Sequence, residues 1–100
     1  MTQAIEITTF KLAGYSCAEF AEANAELDDW LRQQPGFQSR RMAEQPDGTI
    51  VDMLLWDSVA KGTASMHRLM DEMRYSPVHS MIDQETVSWN IAPVRHHIKR

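Results

Sequence analysis

Residues 37–56 read FQSRRMAEQPDGTIVDMLLW, and this stretch decides the fold. Phe37 to Gln45 and Ile50 to Trp56 are two strand-like runs separated by Pro46-Asp47-Gly48-Thr49. An Asp-Gly pair between two such runs signals a β-hairpin, because tight hairpin turns need positive φ. With Asp47-Gly48 as a two-residue loop, Pro46 lies opposite Thr49. The pairing then runs Ser39 with Trp56, Arg41 with Leu54, Met42 with Met53 and Ala43 with Asp52. One face carries Val51, Met53, Leu55, Met42 and Arg40. The other carries Ile50, Asp52, Leu54, Trp56, Phe37, Ser39 and Arg41.

N-terminal to the hairpin, residues 5–12, IEITTFKL, read as a strand with apolar side chains on both faces. Ser16-Cys17-Ala18-Glu19 has the form of a capping box and opens a helix. Phe20, Ala23, Asn24, Leu27, Trp30 and Leu31 recur at helical spacing as one stripe, with Glu22, Glu26 and Asp29 facing water. Pro35-Gly36 ends this helix near Gln34. C-terminal to the hairpin, Asp57-Ser58 caps a second helix over residues 59–74, with Ala60, Thr63, Met66, Leu69, Met70 and Met73 on its apolar face. Ser76-Pro77 starts a short turn through Ile82. Thr86 to Ile91 alternates as a fourth strand, and Pro93 ends its pairing.

The order is βαββαβ, the α+β ferredoxin-like arrangement: a four-stranded antiparallel sheet with both helices on one face. The other face is left bare, with Val51, Met53, Leu55 and Met42 on it. An apolar patch of that kind marks an interface, and a second copy of the same chain is the simplest cover. The expectation is a homodimer formed through the open sheet face.

The 100 residues suffice for one domain, with a core over residues 4–92 and a basic tail, residues 93–100. A net charge of −4 argues against a general nucleic-acid binder. The tail Arg95-His96-His97-Ile98-Lys99-Arg100 reads as a solvated terminus. Cys17 is the one cysteine, so no intrachain disulfide forms. No signal peptide or membrane-spanning run is evident, and a cytoplasmic location with no membrane partner is expected. There is no phosphate loop, dinucleotide fingerprint, cysteine cluster or nucleophile elbow.

Phe20, Gln34-Pro35-Gly36-Phe37 and Leu54-Leu55-Trp56-Asp57-Ser58 together resemble the antibiotic biosynthesis monooxygenase-like domains of the dimeric α+β barrel superfamily. The resemblance spans residues 4–92. It implies a small-molecule pocket between helices and sheet, with Trp56 facing the helices. Members include quinone-forming monooxygenases that use neither metal nor flavin, haem-degrading enzymes, and proteins of unknown role. The haem-degrading pattern has an Asn in the first strand and a His ligand after the second helix. Here those positions hold Ile7 and Ile82 or Asp83, with His79 one turn early, so haem degradation is disfavoured. No cofactor and no metal site are expected.

Within that pocket, Phe37, Ser39, Arg41 and Asp52 share the face of Trp56. An Arg41–Asp52 pair either clamps a carboxylate or phenolate substrate or is a structural ion pair. Asn24 is a polar intrusion in an apolar stripe and binds either a ligand or a backbone group. Trp30, Trp56 and Trp89 either line an aromatic pocket or fill the core. His67 and His79 are general-base candidates or structural histidines, and their separation suits no metal helix. Met70 belongs to a set of adaptable methionines. Asn24, Arg41, Asp52 and His67 are the candidate catalytic residues; Trp30, Phe37, Trp56, Met70 and His79 are the candidate substrate contacts. The function expected is a small-molecule-binding homodimer, in its most concrete form a cofactor-independent monooxygenase of a phenolic or related aromatic. The alternative is a non-catalytic dimer that binds a ligand or a protein.

Overall fold

Alternation along the first strand sets the two faces of the molecule. In a computed structural model of the chain, which describes residues 2–100, Ala4, Glu6 and Phe10 of β1 (Ala4–Leu12) are buried while Ile5, Ile7 and Thr9 point the other way. The chain continues through helices α1 (Cys17–Ala23) and α2 (Ala25–Arg32), strands β2 (Phe37–Glu44) and β3 (Ile50–Trp56), helix α3 (Val59–Glu72), a 3-10 turn (Pro77–Met81) and strand β4 (Ile82–Pro93). The strands form one antiparallel sheet in the order β2-β3-β1-β4. This is the ferredoxin-like α+β architecture read from the sequence. Phe10, Phe20, Leu27, Leu31, Ile50, Leu54, Trp56 and Val78 make the core between sheet and helices. No helix among the described residues is long and apolar enough to cross a membrane.

The hairpin departs from the expected register by one residue. Gln45, not Pro46, pairs with Thr49, its N–H donating to the Thr49 carbonyl at 2.8 Å. The loop is therefore three residues, Pro46-Asp47-Gly48, with Gly48 at φ +87°, where a side chain would be strained. Met42 now pairs with Asp52, Arg41 with Met53 and Arg40 with Leu54. A slip of one residue turns every β2 side chain to the opposite face. Arg40 and Met42 join the helix-covered side, and Ser39 and Arg41 move to the open one. A register irregularity between Phe37 and Ser39 returns Phe37 to the helix side, where its ring meets Trp56 edge-on at 5.5 Å.

The single helix expected over residues 16–34 breaks at Asn24. The Ser16 capping box forms as read. At Asn24 the side-chain Nδ2 donates to the Phe20 carbonyl at 2.7 Å, taking the place of the main-chain N–H, which turns to Ala21 at 3.2 Å. A side chain that competes for the i−4 carbonyl kinks a helix in this way.

Helix α3 presents a different line to the sheet from the one expected. Its buried residues are Gly62 and Ser65, whereas Ala60 and Met70 are exposed. A Cβ on Gly62 would stand 2.9 Å from Trp56 Cδ1 and 2.5 Å from Ile91 Cδ1. Small residues let this helix lie close over Trp56. β4 is longer than the 86–91 segment, and its place at the sheet edge tolerates Pro93.

The far face of the sheet carries Ile5, Ile7, Val51, Met53 and Leu55 on the paired central strands. The residues of β3 there are only partly buried, and Ile7 is 40% exposed.

Candidate active site

A cavity of about 280 Å³ lies between the sheet and the helices. That volume is near the lower end of small-molecule sites, about 300–1,000 Å³. Its wall is mainly apolar and aromatic, with Phe10, Phe20, Leu54 and Leu69 among the lining residues. Glu6, the Arg40–Asp52 pair and Asn24 are three of its polar features, each placed by strand register or by the helix break, and Thr8, Ser65, His79 and Gln84 also line it.

Glu6 is the first. It is 8% exposed and sits on the middle of β1, where Ala4 pairs with Trp56 on one side and Thr8 pairs with Trp89 on the other. Both indoles are thus diagonal neighbours of Glu6 on the same face. Trp56 Nε1 donates to Oε1 and Trp89 Nε1 donates to Oε2, each at 2.8 Å. Burial pushes the Glu6 carboxyl above its ordinary range, and the two indole bonds only partly offset this. The charge of nearby Asp52 pushes in the same direction as burial.

Arg40 and Asp52 form the second. Arg40 pairs with Leu54, so Asp52 lies diagonally across the hairpin. Arg40 Nε and Nη2 donate to the two carboxylate oxygens of Asp52 at 3.0 and 2.8 Å, a bidentate pair. Nη1 donates to Asp28 of α2 at 2.8 Å. The Arg40 and Asp52 side chains are 10% and 11% exposed. Burial pulls the Arg40 guanidinium down, but the bonds and charges of Asp52, then Asp28, outweigh it and hold the group above its ordinary value.

Asn24 is the third. It is 1% exposed, and the helix break turns its amide to the cavity wall. Its Nδ2 is committed to Phe20, while Oδ1 accepts no hydrogen bond from the described residues. A buried acceptor left open costs about 1–3 kcal/mol.

The structure gathers five of the sequence candidates, Asn24, Asp52, Trp56, Met70 and His79, around this one cavity. His79 Nε2 lies 2.9 Å from the Met73 carbonyl and must be the donor there, which leaves Nδ1 as an acceptor in the neutral ring. Four candidates lie elsewhere. Arg41 is exposed on the opposite sheet face, because the register differs by one residue, and Arg40 takes the position expected for it. His67 is exposed on α3, which turns Gly62 and Ser65 inward instead. Trp30 donates to Glu72 at 3.2 Å, tying α2 to α3 outside the cavity. Phe37 stands behind Trp56 and reaches the site only through that ring.

Glu6 and Arg40 are not among the candidates that the sequence offers, and Trp89 is there only as part of an aromatic set. The spacing Ala4-x-Glu6-x-Thr8-x-Phe10 holds the signal for Glu6. It was hidden because Ile5 and Ile7 make the other face of β1 look equally fit for the core.

No protein-family model matches the chain, and no curated protein matches it. Solved structures do. SnoaB, a cofactor-independent oxygenase from Streptomyces nogalater, superposes with a TM-score of 0.78 at 15% identity, with both chains covered in full. A Bordetella bronchiseptica protein provisionally classed as an antibiotic biosynthesis monooxygenase gives 0.76 at 12%, covering 92% of this chain and 96% of that one. The fold is that of the antibiotic biosynthesis monooxygenase-like domains. A monooxygenase from the Streptomyces coelicolor gene ActVA-Orf6, solved with the ligand Nanaomycin D, gives 0.63 at 16%, covering 99% and 93%. At such identities the likeness establishes the monooxygenase-like fold and leaves the chemistry to be argued from the site.

Proposed function

We propose that this chain is a homodimeric, cofactor-independent monooxygenase that converts an electron-rich phenol- or anthrone-like aromatic to its quinone. The observation that carries the reading is a buried carboxylate, Glu6, in an aromatic-walled cavity that is also lined by Asn24, whose buried Oδ1 has no partner among the described residues. Two neighbours of the same fold, SnoaB and the ActVA-Orf6 product, are oxygenases by description, which supports the class of reaction.

The chemistry asked of the protein is modest. A base removes a proton from the substrate, and the resulting anion supplies the electrons to O₂. A C–O bond forms to give a hydroperoxide, which loses water to leave a carbonyl. One oxygen atom enters the product and the other leaves as water, with the substrate as sole reductant. Glu6 is the group placed to take the proton. Its raised pKa makes it a stronger base than an exposed glutamate and narrows the gap to a phenol. Because Trp56 and Trp89 grip both oxygens, the carboxyl is held in one orientation before the substrate arrives. Asn24 Oδ1 would accept a substrate hydroxyl and fix the ring plane. Asp52, held by Arg40, is a positioning group at the cavity edge.

The dimer part of the reading rests on the bare apolar face of β1 and β3, which a second copy would cover. Oxygen uptake by metal-free protein with a panel of anthrones and quinols tests the reaction. Uptake above the free rate for at least one member, with water and quinone formed in equal amounts, is expected. No uptake above the free rate for any member would remove the catalytic reading and leave a ligand-binding dimer.

A further inference from the structure

Resting on the reading of the cavity as the substrate site, we infer that it selects uncharged aromatics that donate hydroxyl hydrogen bonds, and turns carboxylate-bearing ones away. The charges, donors and acceptors of the wall set this preference. Arg40 and His79 are the described lining residues that can carry positive charge. All three guanidinium nitrogens of Arg40 already face carboxylates, two toward Asp52 and one toward Asp28, so one cation serves two anions. The strongest neutral donors, the indoles of Trp56 and Trp89, are both committed to Glu6. His79 Nε2 is committed to the Met73 carbonyl, and the amide of Gln84 donates to the His79 carbonyl at 2.9 Å.

Arg40 Nη1 and Nη2 and Asn24 Nδ2 each keep a second N–H, but the Arg40 charge is already shared by two carboxylates, and the wall also keeps open acceptors. Asn24 Oδ1 has no donor among the described residues, and each Glu6 oxygen keeps a second lone pair. His79 Nδ1 accepts in the neutral ring. The hydroxyls of Thr8 and Ser65 can donate, but neither carries charge. A carboxylate entering this wall would leave its hydration, meet acceptors and sit near the negative charge of Asp52. A phenolic hydroxyl would satisfy the Asn24 oxygen, which otherwise stays unpaired in a residue that is 1% exposed. The expected Arg41–Asp52 clamp for an anionic substrate is thus replaced by a site of opposite preference.

Calorimetric titration of the unmodified protein with 1-naphthol, 1-methoxynaphthalene and 1-naphthoate, at one pH and salt concentration, tests this. The three share a ring system and differ in what they present. Naphthol should bind about tenfold more tightly than the methyl ether, the worth of one hydrogen bond to a buried group. Naphthoate should be the weakest. In Asn24→Leu, shown folded by circular dichroism, the gap between naphthol and the ether should narrow. Naphthoate binding as tightly as naphthol, an ether as tight as naphthol, or no binding by any of the three would overturn the inference. Absence of oxygen uptake together with the expected binding order removes only the proposed turnover. Uptake together with a reversed order removes only this selectivity.

Discussion

Replacing Arg40 by methionine should separate the two possible registers of the hairpin by a measurable free energy. With β2 paired as described, Arg40 gives both oxygens of Asp52 a donor, and both side chains are about nine-tenths buried. Arg40→Met strands that carboxylate, and removing one partner of a buried pair costs about 3–5 kcal/mol. Proton uptake sets a ceiling. Neutralising an ordinary aspartate costs about 4 kcal/mol at pH 7 and about 1.5 kcal/mol at pH 5. The variant should therefore lose about 3–4 kcal/mol at pH 7, and about 2 kcal/mol less than that at pH 5. Asp28 is 38% exposed and rehydrates, so it adds little. Arg41→Met, on the open face, should stay within about 0.5 kcal/mol of the parent. Urea unfolding of both variants at pH 7 and pH 5 measures this, with protein concentration held constant because a dimer's stability depends on it. Equal losses for the two arginines, or a larger loss for Arg41→Met, would refute the register and return the ion pair to the two-residue-loop hairpin. A loss at Arg40 that does not shrink with pH would mean that no buried charge is left behind.

Glu6→Gln should lower the turnover of any active aromatic by about 100-fold or more, the ordinary contribution of a positioned base, read in the oxygen electrode. Its stability effect carries a sign. Glu6 holds its proton more tightly folded than unfolded, so its contribution is complete below the unfolded value of 4.5 and is lost as pH rises through the raised folded value. Urea midpoints of Glu6→Gln should therefore improve relative to the parent between pH 4 and pH 7; a constant difference would contradict a buried, charge-averse Glu6. Gly62→Ala should destabilise by up to about 2 kcal/mol, the overpacking cost of about 1–3 kcal/mol less the helix gain of about 1 kcal/mol. The Ile91 methyl can move aside, but Trp56 is held by Glu6 and Phe37, so a thermal melt at or above the parent's would show that α3 has room to retreat. Met53→Glu, in the middle of the bare sheet face, should convert a sedimenting dimer to a folded monomer. A parent that sediments as a folded monomer at micromolar concentration would remove the dimer itself.

Much of the fold was legible because its signals are local. The Ser16–Glu19 capping box, the Ser58 cap, the Pro35-Gly36 stop and the Asp47-Gly48 turn each act within a few residues. Together with hydrophobic periodicity they set the βαββαβ order, and that order leaves one sheet face bare. The site was less legible. Asn24 announced itself as a polar residue in an apolar stripe, but not that its own side chain breaks the helix. Alternation within one strand, where no register is needed, puts Trp56 and Asp52 on one face, and the family resemblance turns that face to the helices.

By itself, then, the sequence determined the βαββαβ order of the segments, that Asp52 and Trp56 share one face, and that Asn24 lies on the apolar stripe of its helix. Only the tertiary structure decided that Arg40 rather than Arg41 meets Asp52, and that Glu6 lies between Trp56 and Trp89, residues 50 and 83 positions away in the chain. The physical reason is the pleat. Strand side chains alternate with period two, so one residue more or less in a turn reverses a whole face. Which turn forms depends on the packing of both faces at once, and so does the choice of which side of β1 receives the helices.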